Sequence, residues 1–101
     1  MEWVHGLGDA KIISVERANH DLTLRLDCSY THLHSANYIE QIKFLNYQIK
    51  EDTDLAGFFW YQDQFKQIGD IYELHLKLCD GKGHKKPFVI QFSDFKIVHQ
   101  S

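Results

Sequence analysis

Several features that would assign a small protein to a familiar class are missing from this sequence. Among its 101 residues there are one proline, six glycines and two cysteines. Two cysteines are too few for a disulfide scaffold, and a content of 44% hydrophobic and 14% aromatic residues argues against disorder. The opening MEWVHGLGDA has neither the basic region nor the apolar run of a signal peptide, and no segment approaches the ~18 apolar residues of a transmembrane helix. We therefore expect a single β domain over residues 1–101, located in the cytoplasm.

The chain also lacks a strong charge of either sign. Its formal net charge is −3, which gives no general attraction to nucleic acid or to an anionic membrane. We expect neither as a partner, and nothing in the composition implies a cofactor.

The best-defined pattern is a β-hairpin within residues 58–78. Its second half alternates strictly, with Tyr72, Leu74, Leu76 and Leu78 on one face and Glu73, His75 and Lys77 on the other. A period of two is typical of a half-buried strand. Gly69-Asp70 before it supplies the turn, because glycine adopts positive φ and aspartate bonds to nearby backbone.

Other segments predict further short strands. A first hairpin joins residues 10–18 to residues 21–28 through Asn19-His20, with Ile13 and Val15 sharing one face of the first strand and Ile12 on the other. The remaining strands are predicted at residues 38–50, 87–92 and 95–99. Six to seven short strands indicate an all-β fold, an antiparallel sandwich or barrel, with at most one short helical turn near residues 53–57.

The pattern of residues 38–50 fits either a bent strand or a helix. Ile42 and Phe44 share one parity while Leu45, Tyr47 and Ile49 share the other, which indicates a bulge or a bend where a strand passes between sheets. A helix is the alternative, since apolar residues here also recur at helical spacing. We favour the strand because of the aromatic and β-branched content.

The two thiols are predicted to lie on opposite faces. Cys28 continues the inward series Leu22, Leu24, Leu26, and Cys79 continues an outward series. Thiols that point apart cannot form a disulfide, which agrees with a reducing compartment.

Two of the seven histidines have a spacing that suits a metal. His32 and His34 would lie on one face of an extended chain, where two imidazoles can hold one ion. Zinc usually needs three or four protein ligands, so a metal site is not the favoured interpretation of these two candidates.

No catalytic set is evident. Glu73, His75 and Lys77 form an outward row typical of a solvated sheet face, and Asp63 could face Glu73 across the hairpin as an ordinary pair of surface charges. The sequence has no serine–histidine–aspartate order, phosphate loop or paired-carboxylate motif, so we do not expect an enzyme.

A small basic loop follows the hairpin. Lys82, His84, Lys85 and Lys86 cluster there and could touch phosphate or an acidic partner. A solubilising hairpin tip is the favoured interpretation.

The aromatic cluster Phe58-Phe59-Trp60-Tyr61 is the most informative feature for function. In a strand, Phe58 and Trp60 face one side while Phe59 and Tyr61 face the other. One side enters the core; the other is exposed, or covered by a partner, a terminus or Trp3. Exposed aromatics are typical of interface anchors, although a plain two-sided core is the somewhat favoured interpretation.

Short motifs resemble a group of small bacterial β domains that open with a Leu-His-Asp-Ala-type motif before a strand–turn–strand. The matching residues are Leu7-Gly8-Asp9-Ala10, then residues 12–16, Asp21-Leu22-Thr23-Leu24, the Trp60-Tyr61 region and residues 72–75. Gly8 replaces the histidine of that motif. The resemblance implies an all-β cytoplasmic protein and, since some members are grouped with toxin-immunity proteins, allows an immunity role. It implies no catalytic residues.

Three functions follow as hypotheses. The leading one is a non-enzymatic protein-binding domain, possible partners being another protein or a second copy of the chain, with Phe58, Phe59, Trp60, Tyr61 and Tyr72 as binding residues. The second is a small-ligand-binding barrel with Trp60, Tyr61 and Tyr72 around a pocket. The third is a metal-binding protein through His32 and His34.

Overall fold

Eight antiparallel strands form the protein, as the all-β prediction requires. The structure is a computed structural model, and it describes residues 3, 6–29, 31, 38–49 and 54–99. The strands are β1 (Lys11–Ala18), β2 (Asp21–Asp27), β3 (Ile39–Leu45), β4 (Gln48–Ile49), β5 (Phe59–Ile68), β6 (Ile71–Cys79), β7 (Lys85–Phe92) and β8 (Asp94–His99). No α-helix occurs within the described ranges.

All eight strands belong to one sheet of order β4-β7-β6-β5-β1-β2-β3-β8. We call the first four strands in this order leaf 1 and the last four leaf 2. Side chains from the two leaves meet in a single core: the rings of Phe44 in leaf 2 and Phe92 in leaf 1 have centroids 4.8 Å apart. The sheet is thus folded over on itself, with the core between its leaves.

The two leaves are joined at a corner made by bent strands. Asn46, with φ of 53°, and Tyr47 separate β3 in leaf 2 from β4 in leaf 1. Ser93 alone separates β7 from β8. The pairs Leu45↔Asp94 and Gln48↔Gln91 keep one register across both bends. The bent-strand prediction for residues 38–50 is confirmed over the described part, and the division of this one predicted strand into β3 and β4 accounts for a count of eight strands rather than six or seven.

The opposite junction, between β1 and β5, is short. We call it the seam. One residue pair, Lys11↔Phe59, joins the two strands within the ladder. Four backbone bonds cross the junction: Ile12 N to Phe58 O at 2.9 Å, Trp60 N to Ala10 O at 2.7 Å, Asp9 N to Trp60 O at 2.8 Å and Gly57 N to Ile12 O at 2.7 Å. Immediately beyond it each strand has a register shift typical of a β-bulge.

The bulge in β1 corrects the predicted facing of its side chains. Ile12 is fully buried and Val15 packs against the core, whereas Ile13 is 51% exposed. The prediction that Ile13 and Val15 share a face is therefore wrong. The extra residue at position 13 shifts the alternation by one.

The core is rich in aromatic rings and includes Trp3. Its indole stacks on Phe65 with centroids 5.2 Å apart and lies 6.4 Å from the ring of Trp60. Trp3 is only 6% exposed. It therefore fills the space between the leaves and does not cover the outward aromatics, which was one sequence-based alternative.

The turns follow the expected residue chemistry. Asn19 adopts φ of 58° and Gly69 φ of 61° in the two hairpin turns. Residues 54–57 form a turn in which Ala56 N donates to the Asp54 carboxylate and Gly57 has φ of 91°. The permitted helical turn near residues 53–57 is thus a non-helical turn over its described part.

The Leu7-Gly8-Asp9-Ala10 motif is a tight turn that starts β1. Ala10 N donates to Leu7 O at 3.0 Å, and Asp9 adopts φ of 72°, as at the third position of a type II turn. Leu7 and Ala10 are fully buried. The motif therefore anchors the chain in the core and directs it into the seam.

Candidate functional site

The aromatic cluster divides between the core and the outer face of leaf 1. Trp60 is 1% exposed and Phe58 packs against the core. Phe59 and Tyr61 are 37% and 44% exposed. The predicted alternation is confirmed, and the prediction of a two-sided core is wrong, because leaf 1 is covered on one side only.

Both exposed rings lie under a lysine from another strand. Lys85 Nζ of β7 is 4.3 Å from the centroid of the Tyr61 ring, and Lys11 Nζ of β1 is 5.8 Å from that of Phe59. A cation over an aromatic face is attracted by the ring quadrupole, by ~0.5–1 kcal/mol at exposed sites. These contacts hold an ammonium group beside each ring.

A shallow hollow of about 260 Å³ lies on the same leaf, across β5, β6 and β7. Gln62 is paired with Lys77, which is paired with Pro87; Gln64 is paired with His75. Val89 of β7 lies opposite His75, and Asp63, Leu76 and Phe88 also contribute to the lining. The hollow thus combines amide, imidazole and ammonium groups with an apolar side formed by Pro87 and Val89.

We define the outer face of leaf 1 as Phe59, Tyr61, Lys85 and this hollow. The carboxylate of Glu73 lies beside the hollow and is held by two contacts. Gln91 Nε2 donates to Glu73 Oε2 at 2.8 Å, and His75 Nε2 forms a short contact with Glu73 Oε1. The bond from Gln91, followed by that to His75, lowers the pKa of Glu73. Glu73 therefore holds the His75 ring in place and is itself already bonded.

The basic loop after β6 is organised by Asp80. Its carboxylate accepts the backbone N–H groups of Lys82 at 2.8 Å and His84 at 2.9 Å, and its second oxygen contacts His84 Nδ1 at 3.0 Å. The bond from the His84 backbone is the main cause of a lowered pKa for Asp80. The loop therefore positions the chain from which Lys85 reaches Tyr61, a role beyond that of a solubilising tip.

The outer face of leaf 2 is different in kind. Arg25 pairs with Glu40 at 3.4 Å, and Lys43 pairs with Asp21 at 3.6 Å. A hollow of about 330 Å³ there is lined by Ser14, Val15, Glu16, Thr23, Arg25 and Gln41, which include no aromatic residue. Arg25 and Lys43 thus have carboxylate partners of their own, and leaf 1 is the better candidate.

The structure separates the residues of the ligand-barrel hypothesis. Trp60 lies in the core, Tyr61 lies on the outer face, and Tyr72 packs within the core rings, 5.2 Å from Phe65. The three do not line one pocket. Asp63 and Glu73 also do not face each other: Asp63 is paired with Leu76 and Glu73 with Lys66, on opposite sides of leaf 1.

The metal candidates His32 and His34 lie outside the described residues. Within the described ranges there is no group of three or more histidine, cysteine, aspartate or glutamate residues arranged to hold a metal ion. Cys28 is buried and Cys79 is half-buried, and the two do not form a disulfide, as the parity argument predicts.

Sequence reasoning identified the two exposed aromatics but missed the groups around them. The lining residues Gln62, Gln64, Pro87 and Val89 carry no local signal, because the hollow exists only where three strands meet. The pairing of Lys85 with Tyr61 was equally hidden, although the hairpin register could have suggested it: Phe59 pairs with Cys79, which pairs with Lys85.

Comparison of the chain with models of known protein families, with curated proteins and with solved structures finds no match. The described part of the chain contains no helix long and apolar enough to cross a membrane. The proposals below therefore depend on the geometry of the outer face of leaf 1.

Proposed function

We propose that this chain is a non-enzymatic protein-binding domain whose partner docks on the outer face of leaf 1. The observation that carries the proposal is the exposure of Phe59 and Tyr61 at 37% and 44%, on either side of a Trp60 that is 1% exposed. Aromatic residues in this position are the commonest anchors of protein interfaces.

The surroundings of the two rings support the same use. The hollow of about 260 Å³ beside them is large enough for a partner side chain but shallow, and it is bordered by groups that can hydrogen bond. Interfaces combine such a central hollow with aromatic anchors and a polar rim. Tyr61 and Lys85, already held together, would lose little side-chain entropy on binding.

The setting we propose is the cytoplasm, where cysteines such as Cys28 and Cys79, which form no disulfide with each other, stay reduced. An immunity role, in which the partner is a toxin domain, is one form of this proposal. It is supported by the Leu7-Gly8-Asp9-Ala10 resemblance alone, and that motif acts here as a turn.

Site-specific photo-crosslinking tests the proposal. A benzoylphenylalanine in place of Tyr61 should give a discrete adduct in the source cells, and the same residue in place of Tyr38 should not. Tyr38 is the matched control because it is also an exposed tyrosine, at 61%, but precedes β3 in leaf 2.

The adduct identifies the occupant and permits a direct check. An adduct of twice the monomer mass would mean a second copy of this chain, and any other mass a different protein. Binding of the purified partner should weaken by about tenfold or more in Tyr61→Ala, as expected for an anchor residue, and stay unchanged in Tyr38→Ala. Equal adducts from both positions, or none from position 61, would contradict the proposal.

A further inference from the structure

We infer that the partner presents an acidic surface to the outer face of leaf 1, with carboxylates meeting Lys77 and Lys85. This inference rests on the proposed function and names the chemistry of the partner.

The lysines on this face have no acidic partner among the residues that the structure describes. No carboxylate lies within ion-pair distance of Lys77 or Lys85, although Lys43 and Arg25 on leaf 2 have such partners. Lys85 instead lies over the Tyr61 ring. A partner carboxylate could therefore pair with either ammonium group without displacing an existing ion pair.

Three acidic side chains of this leaf are already bonded. Glu73 is bonded by Gln91 and His75, Asp80 by its own loop, and Asp63 by the indoles of Trp3 and Trp60. The ammonium group of Lys77 has no such partner in the described part of the chain and remains for an incoming group. Gln62 and Gln64 add amide donors opposite Lys77 and His75. Carboxylates accept from several donors at once.

The position of the ammonium groups favours a protein over a single-stranded nucleic acid. A base would need the open face of an aromatic ring for stacking, yet Lys85 Nζ lies 4.3 Å above Tyr61 and Lys11 Nζ 5.8 Å above Phe59. The formal net charge of −3 also opposes a long polyanion. A short acidic segment of a protein would interact mainly with the lysines of this face and not with the negative charge of the whole chain.

Titration with a synthetic poly-glutamate peptide, followed by amide chemical shifts at low salt, tests the inference. The expected shifts are confined to β5, β6 and β7, and they diminish as salt is added. Lys85→Glu should weaken binding by about tenfold. Lys96→Glu should not, and it is the matched control because Lys96 is an exposed lysine of β8 in leaf 2.

The outcomes separate this inference from the proposed function. If the adduct at position 61 forms at equal yield in the Lys77→Glu/Lys85→Glu double variant, the acidic partner is excluded while protein binding stands. Absence of any adduct at position 61 overturns both. Poly-glutamate shifts on both leaves, or tighter binding of poly-lysine or oligothymidylate than of poly-glutamate, would overturn the inference alone.

Discussion

The indole of Trp60 donates a hydrogen bond from Nε1 to Oδ2 of Asp63, at 2.8 Å. Residues three apart in a regular strand face opposite sides. Here the register shift between Trp60 and Gln62 makes Tyr61 an extra residue and returns Asp63 to the inner side. The other carboxylate oxygen accepts from Trp3 Nε1 at 3.2 Å. One bulge thus provides both buried indoles with an acceptor and leaves Tyr61 outside.

Replacement of Asp63 by alanine should destabilise the fold by about 2–4 kcal/mol, since two indole N–H groups lose their acceptor and each unsatisfied buried donor costs ~1–3 kcal/mol. Asp63→Asn should cost less, because one acceptor oxygen remains. Urea unfolding followed by tryptophan fluorescence measures both. Gln64→Ala is the control, as Gln64 is the exposed neighbour on β5; an equal loss in that variant would contradict the assignment.

Trp3→Ala should destabilise the protein by about 3–5 kcal/mol, the usual cost of deleting a large buried aromatic. Trp3 contacts Phe44, Trp60, Phe65 and Phe95 across both leaves. Trp3→Phe should recover a large part of this loss because it keeps a ring in the space. Thermal unfolding is the measurement. A chain lacking the Trp3 side chain that melts like wild type would show that the core does not need it.

Stability should fall in alkali because of Cys28. Burial raises the pKa of this thiol from its ordinary value of 9.0 to about 11, so the folded state keeps a proton that the unfolded state has lost. The contribution is therefore complete below pH 9.0 and declines as the pH rises towards about 11. The difference in unfolding free energy between wild type and Cys28→Ala should be constant below that range and shrink within it. Cys79→Ser, which keeps Cys28, serves as the control and should show the same alkaline loss as the wild type; absence of the loss in that variant would refute the assignment.

Glu73 should contribute stability that is lost in acid. Hydrogen bonds that its carboxylate accepts from Gln91 and His75 lower its pKa in the folded state, so its contribution is present above the ordinary glutamate pKa and disappears as the pH falls through the lowered value. Gln91→Ala should raise the pKa of Glu73 towards its ordinary value, as measured by the carboxyl carbon shift in NMR. Gln41→Ala on leaf 2 should leave the pKa of Glu73 unchanged. An unchanged pKa of Glu73 in Gln91→Ala would show that the hydrogen bond from Gln91 is not the cause.

Gly8→His, which restores the histidine of the resembled motif, should fold with a loss below ~0.5 kcal/mol, as for most surface changes. Gly8 has no positive φ, and a Cβ there would meet only Tyr61 O, at 3.9 Å. Gly57→His should lose about 1–2 kcal/mol more, because Gly57 has φ of 91°. Chemical unfolding compares the two. A larger loss at position 8 than at position 57 would mean that the turn requires glycine.

The parts of the fold that sequence predicted are those in which one strand face is buried without interruption. The inward residues Leu74, Leu76 and Leu78 of β6 and the inward leucines of β2 follow a simple period of two. The prediction failed at Ile13, where a bulge adds one residue. An isoleucine suits either face of a strand, so its identity gives no sign of the shift.

The candidate site was predictable only in part, for a related reason. Phe59 and Tyr61 stood out because aromatic side chains on both faces of a strand exceed what one core can bury. The partners of these rings come from β1 and β7, and the hollow needs three strands in register. Such groupings depend on strand order, which no single segment encodes.

The short seam between β1 and β5 shares residues with the proposed site, so binding at the site should affect how easily the two leaves separate. Because the ladder there contains a single residue pair, the amides of Ile12 and Trp60 should exchange with solvent through local separation of the leaves, before the rest of the core opens. Lys11 and Phe59, the two residues of that pair, also belong to the exposed cation–aromatic contact. A partner that covers these two residues would oppose separation of the leaves. Binding to the face should therefore slow hydrogen exchange at the amides of Ile12 and Trp60.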